Sequence, residues 1–200
     1  MSVAVNRYSL DMARWGPNAR GRLEGAALDL YSERGFEQTT VAEIAARAGL
    51  TERTFFRHFA DKREVLFGGA KELQELLVKG VAEAPAALAP LDAVARALEV
   101  VAVFSPERRA YSRQRHKVIA ANAELREREL IKLEVLSAAL AGALRGRGTP
   151  DPAAGLAAAA GIAVFRAAFG RWAAETDGQD FGQHVRDALG VLKAVTAGRW

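Results

Sequence analysis

Residues 51–54, Thr-Glu-Arg-Thr, set a hydroxyl, a carboxylate, a guanidinium and a second hydroxyl side by side, directly after Gly49-Leu50. At the first turn of a helix these groups can read the edges of base pairs. A guanidinium such as that of Arg53 grips guanine through two parallel hydrogen bonds, and a carboxylate such as that of Glu52 accepts from cytosine. The hydroxyls of Thr51 and Thr54 serve a base or a phosphate. Phe56, Arg57, His58 and Lys62 follow within the next eight positions. A ring, an imidazole and cations at the rim of a reading helix suit the sugar-phosphate backbone. Phe55 and Phe59, four apart, fall on the opposite side of the same helix and are expected in a core. Taken singly, each of these residues is more often part of a solvated helix face. Their joint register is what points to a DNA reader.

The elements that must hold this group are legible from punctuation. Leu23, Ala26, Ala27, Leu30 and Tyr31 fall on one face of a first helix, which Gly35 ends. Thr40 and Glu43 have the T-x-x-E spacing of a capping box, opening a second helix whose stripe is Val41, Ile44, Ala45 and Ala48. Gly49 marks the turn, and Thr51 has the chemistry to cap a third helix running to about His58. Asp61 and Glu64 repeat the capping spacing, so a long fourth helix is expected from there, with Leu66, Ala70, Leu73 and Leu77 on its stripe. Lys62 then stands at a helix start, where its charge and free backbone amides together make a phosphate seat. Two short capped helices around a Gly turn form a helix-turn-helix, whose second helix lies in the major groove.

The segments LEGAALDLYSERGFEQTTVAEIAARAGL and TERTFFRHFADKREVLF resemble the TetR family of bacterial transcriptional regulators, over residues 20–67. The resemblance implies base contacts from Glu52, Arg53 and Thr54. It implies phosphate contacts from Thr40, Thr51, Phe56, His58 and Lys62. The family often has Tyr where this chain has Phe56, so a phenolic hydrogen bond to phosphate is lost here.

Beyond residue 80 the resemblance implies architecture only: a ligand chamber in the middle helices and a dimer through the last two. The residues support further helices by themselves. Ala84–Pro90 breaks the pattern. Leu91, Val94, Leu98 and Val101 make a fifth helix, and Ser105-Pro106 opens a sixth. Asn122 can cap a seventh, carrying Leu133, Leu136, Leu140 and Leu144. Asp151-Pro152 starts an Ala-rich eighth helix, apolar nearly all round, which needs burial on every side. Asp180 and Gln183 are placed to cap a ninth. The fold class is therefore all-α with about nine helices: a flexible arm over 1–17, a reader over 18–62, and an effector-binding and dimerisation domain over 63–200.

A chamber would be apolar with a few polar anchors. The candidates are Phe104, Tyr111, His116, Phe165, Arg166, Phe169 and Trp172, although aromatics at helical spacing are more often ordinary core. Arg108, Arg109, Arg113, Arg115 and Lys117 either form a solvated face or greet an anionic ligand. The segment TTVAEIAARAGLTERTFFRHF, residues 39–59, also resembles a subgroup that senses acyl-coenzyme A-like compounds. Leu156, Val164, Phe181, Val185, Leu192 and Val195 are the expected dimer interface, because a two-fold reader needs a partner to read paired half-sites.

Composition bounds the rest. There are 28 basic against 24 acidic side chains and no Cys, so disulfides and thiolate metal sites are excluded. His58, His116 and His184 show no metal-ligand spacing. There is no G-x-S-x-G, no phosphate-cradling Gly loop and no Cys nucleophile, so neither an enzyme nor a cofactor is expected. No apolar run is expected to reach a membrane span, because Arg, Glu or Gly interrupts each one, and no signal pattern opens the chain. The expected protein is a cytoplasmic, ligand-responsive repressor that binds a palindromic double-stranded DNA operator as a homodimer and takes a small-molecule effector. An activator of the same fold and a non-specific architectural DNA binder are the alternatives.

Overall fold

A computed structural model describes residues 19–101, 106–175 and 180–199. The arm expected over 1–17 lies outside them. Among the described residues the chain is helical, without strands. It divides into two compact units.

The first unit runs to Gly68 and also takes in residues 117–125. It contains α1 (Ala19–Arg34), α2 (Val41–Arg47), α3 (Glu52–His58) and a 3-10 turn (Glu64–Phe67). The α1 stripe is buried as its spacing requires, with Leu23, Ala27 and Leu30 fully inaccessible beside Ile44, Phe55 and Val65. Gly35 takes φ +88, a left-handed conformation that a Cβ disfavours. Its amide closes on the Tyr31 carbonyl to finish α1. Gly49 does the same for α2 at φ +65. There the Leu50 amide reaches back to the Ala45 carbonyl and the Gly49 amide to Ala46, the paired bonds of a Schellman ending.

The fourth helix departs from the sequence reading. The Asp61 carboxylate takes the amides of Arg63 and Glu64 at 2.8 and 3.1 Å. The result is a single 3-10 turn rather than a capping box, and α4 begins only at Ala70, past Gly68-Gly69.

The second unit holds α4 (Ala70–Ala82), α5 (Pro90–Val101), residues 106–116 of α6 (Pro106–Ala121) and residues 126–146 of α7 (Ala123–Gly146). It ends with α8 (Asp151–Ala174) and α9 (Phe181–Thr196). Asn122 caps α7 through its side-chain oxygen on the Leu125 amide, 3.2 Å. Asp180 precedes α9 but makes no side-chain cap. The core joins Leu77 and Val81 of α4, Val94 and Leu98 of α5, Leu140 and Leu144 of α7, Ala158, Ile162 and Val164 of α8, and Phe181 and Val185 of α9. Gly161 lets α8 close onto α5, since a Cβ there would collide with Val94.

Two expectations about α8 are corrected. Asp151–Ala174 is long and apolar enough, by length and composition, to cross a membrane. Gly and a few Arg do not lower its apolarity enough to break the run. Nor is the helix buried on every side: only 28% of its most apolar stretch is buried within the chain. Ala154, Ala158, Gly161, Val164, Ala168 and Trp172 form the inward face, while Leu156, Ala159, Ala163 and Ala167 are exposed.

Candidate nucleic-acid interface

The two short helices are held by their caps. The Thr40 hydroxyl accepts the Glu43 amide at 3.2 Å, and the Glu43 carboxylate accepts the Thr40 amide at 2.9 Å, so the reciprocal box forms. These bonds from Thr40, led by its amide, hold the Glu43 carboxyl below its usual range, with Arg34 adding to the effect. At α3 the Thr51 hydroxyl accepts the Thr54 amide at 3.2 Å and lies 3.1 Å from the Thr54 hydroxyl. Arg22 secures the turn between the helices, donating through its Nε to Ala48 O at 3.0 Å and through Nη2 to Gly49 O at 3.1 Å.

α3 has two distinct sides. Phe55 and Phe59 are buried, their rings 5.5 Å apart. Glu52, Arg53, Phe56 and Arg57 are exposed, at the i, i+1, i+4, i+5 spacing of one helix face. Thr54 is half-buried at the edge of that face, and Thr51 and His58 are exposed at the two ends of the helix. Arg57 shares the outward face with Arg53, and the four-residue spacing itself is its signal. Partial desolvation, and then the charges of Arg57 and Arg20, push the His58 imidazole below its ordinary value.

Lys62 is placed otherwise than expected. It does not open a helix, and the amides beyond it belong to Asp61. Its Nζ donates to the carbonyls of Phe36, Glu37 and Thr39 at 3.0, 3.4 and 3.3 Å, and stands 4.3 Å from the Phe36 ring centroid. The Tyr31 hydroxyl donates to the Lys62 carbonyl at 2.6 Å.

In the second unit, a half-open cavity of about 410 Å³ is lined by His116, Glu129, Leu133, Ala163, Phe165, Arg166, Ala167 and Phe169. Four of the chamber candidates, His116, Phe165, Arg166 and Phe169, therefore share one wall system. His116 meets Phe169 edge-on at 5.5 Å, and Phe165 stacks on Phe169 at 5.8 Å. Trp172 is not part of the lining. It is buried, edge-on to Phe181 at 5.8 Å, with the Arg109 guanidinium over its ring at 5.3 Å. Tyr111 is half-buried and does not line the cavity either. Phe104 lies outside the described residues. Glu129 and Leu133 were missed, because on sequence they read as an ordinary α7 pattern.

Of the interface candidates, Leu156 and Val195 are 73% and 51% exposed, and Leu192 is half-buried against the core. Val164, Phe181 and Val185 are core of this chain itself and present no surface to a partner. Val191, 52% exposed, extends the Val195 side of α9 and was not anticipated. Among the described residues no group of three His, Asp or Glu side chains is arranged to hold a metal ion.

Comparison with known proteins fits this geometry. Residues 25–67 match the model for bacterial regulatory proteins of the tetR family, and residues 88–197 match the MftR C-terminal domain. The chain is 38% identical over 82 residues to the HTH-type transcriptional regulator TcmR of Streptomyces glaucescens, covering 41% of this chain and 36% of TcmR. It is 34% identical over 65 residues to the HTH-type transcriptional activator FasR of Mycolicibacterium smegmatis, covering 32% of this chain and 30% of FasR. The match thus spans about a third of each relative. Among solved structures, a Thermus thermophilus FadR in complex with lauroyl-CoA superposes with a TM-score of 0.53 at 25% identity, covering 87% of this chain and 93% of that one.

Proposed function

The chain belongs to the tetR family of bacterial regulatory proteins, and we propose that it is a ligand-responsive repressor that binds a palindromic operator as a homodimer in the cytoplasm. The observation that carries the DNA-reading half is the two-sided α3: an outward face of Glu52, Arg53, Phe56 and Arg57 over a fully buried Phe55. A rigid back and a mixed polar front are what a helix needs to read base edges.

The effector is proposed to be amphipathic, with an apolar body against Leu133, Phe165 and Phe169 and an anionic group near His116 and Arg166. The acyl-coenzyme A class fits that description, and the lauroyl-CoA held by the Thermus FadR supports it. The second copy is proposed to lie against the exposed side of α8 and the Val191-Val195 side of α9. Ala163 and Ala167 are both exposed on α8 and lining for the cavity, so a partner there would also help to wall it. Release of DNA requires the effector to prefer the state that cannot bind operator.

The experiment is selection of bound fragments from host genomic DNA, followed by binding isotherms on the selected duplex with and without lauroyl-CoA. A bound palindrome released by the acyl-CoA is the expected result. Sequence-independent binding alone would mark an architectural DNA binder instead. The activator FasR among its relatives favours one second reading, activation from the same operator, and a reporter downstream of that duplex separates the two.

A further inference from the structure

We propose that Lys62 is a positioning residue for DNA reading and not a phosphate contact: its ammonium is the clamp that shapes the loop entering α2. The proposal rests on the DNA-reading role of α3 but concerns how that helix is held.

A lysine ammonium has three hydrogens and no acceptor. Here three carbonyls converge on it, from Phe36, Glu37 and Thr39, and the Phe36 ring lies alongside at 4.3 Å. A phosphate oxygen could engage the same hydrogens only by displacing one of these partners. The backbone of Lys62 is tied as well, since its carbonyl accepts the Tyr31 hydroxyl of α1. One residue thus links α1, the loop after it and the segment beyond α3.

That loop leads straight to the cap of α2. Thr39 immediately precedes Thr40, whose hydroxyl and amide make the reciprocal bonds with Glu43. Thr39 is 1% exposed and donates its hydroxyl to Gly35 O at 2.9 Å. Remove the cation, and three carbonyls point at one another with nothing between them. The loop would then relax, and the start of α2 with it. Arg22 is the matching device at the other end of the helix, holding Ala48 and Gly49. Both ends of α2 are therefore held by cations that donate to backbone carbonyls, and α2 in turn packs on α3.

The chemistry separates this from a phosphate contact. A phosphate accepts equally from ammonium or guanidinium, and losing the contact releases fewer counterions, which lowers the salt dependence. A three-carbonyl cage cannot be satisfied by the flat fork of an Arg or the two donors of a Gln amide.

The test uses a duplex selected by the unmodified protein and a scrambled duplex, titrated over a salt series with Lys62→Gln and Lys62→Arg, at a temperature where circular dichroism shows both folded. Both variants should lose affinity for the selected duplex by about tenfold or more, while the slope of log affinity against log salt stays that of the unmodified protein. A slope lowered by about one per subunit in Lys62→Gln and restored in Lys62→Arg overturns the proposal. So does unchanged affinity, or a loss accounted for by the unfolded fraction alone. A measurement on the unmodified chain holds even if both variants fail to fold. Under reductive methylation read by mass spectrometry, Lys62 should be as unreactive free as it is on DNA. A Lys62 that is reactive when free and protected by the duplex sinks the idea, and in that case the DNA-reading assignment of α3 still stands.

Discussion

Phe55 and Phe56 are neighbours in the chain with opposite surroundings: the first is fully inaccessible and the second 55% exposed, with ring centroids 5.5 Å apart at 81°. The helix puts consecutive side chains about 100° apart, so one faces the core and the other faces out. Phe55→Ala should therefore cost about 3–5 kcal/mol of stability through the cavity it leaves. Phe56→Ala should leave thermal unfolding almost unchanged and weaken DNA binding. Phe56→Tyr should strengthen binding by supplying a phenolic donor toward phosphate. Melting curves and isotherms on the same three variants decide it, and a Phe56→Ala that melts as early as Phe55→Ala would show the helix is seated differently.

Arg53 is exposed on the outward face of α3, at its second residue, where a side chain can meet a base edge. Arg53→Ala should cost about 1–3 kcal/mol on the selected duplex and little on scrambled DNA, because a two-pronged guanine contact is lost. Arg57→Ala, a turn further along, should weaken both duplexes alike and lower the salt slope. Equal losses on both duplexes for Arg53→Ala would move the base-reading role elsewhere on the helix.

The reader was legible because its boundaries are chemical. Gly35, Gly49, Thr40 and Thr51 act locally, within four residues, and local rules found them. The hydrogen bonds of Lys62 run to carbonyls 23 to 26 residues away, a relationship that no periodicity encodes. Asp61 misled because the D-x-x-E spacing is shared by a helix cap and a turn, and only Gly68-Gly69 argued for the shorter element. The cavity was half legible. Phe165, Phe169 and Trp172 share one helix face, but sequence cannot say where along that face the neighbouring helices part, so Trp172 fell to the core. On α8, apolarity all round was visible, whereas which side the chain keeps for itself depends on where α5 and α9 pack.

Acid should loosen the first unit. The Glu43 carboxyl is held low by the Thr40 amide and hydroxyl. Partial burial pushes Asp61 up, but its bonds from Arg63 and Glu64 outweigh that and hold it low. A folded pKa below the unfolded one contributes stability above the unfolded value, which is lost as pH falls through the folded value. The melting temperature should thus fall from about pH 5 downward, and Glu43→Gln with Asp61→Asn should flatten that fall. A double variant with the same acid slope as the unmodified chain would place the sensitive carboxylates elsewhere.

Charge at the exposed sides of α8 and α9 should separate association from folding. Leu156→Glu and Val191→Glu replace side chains 73% and 52% exposed, so the chain should fold as before. Light scattering should then report one chain where the unmodified protein reports two, with weaker operator binding. Val185→Glu, fully buried in the α9 core, should instead abolish folding. A single-chain mass for the unmodified protein at micromolar concentration would remove the dimer altogether.

Protonation of His58 should couple DNA binding to pH. In the free chain, partial desolvation and then the charges of Arg57 and Arg20 hold its pKa below the ordinary value. A phosphate beside it in the complex would favour the imidazolium and raise that pKa. Binding then takes up a proton between the two values: affinity should be flat at higher pH, rise as pH falls through the bound value, and level off below the free one. The rise should approach about tenfold per pH unit per subunit at most. His58→Gln should bind more weakly at pH 6 and show a flatter profile. His116 and His184 belong to the second unit, so a profile that keeps its full slope in His58→Gln would assign the proton to a group other than the one at the end of α3.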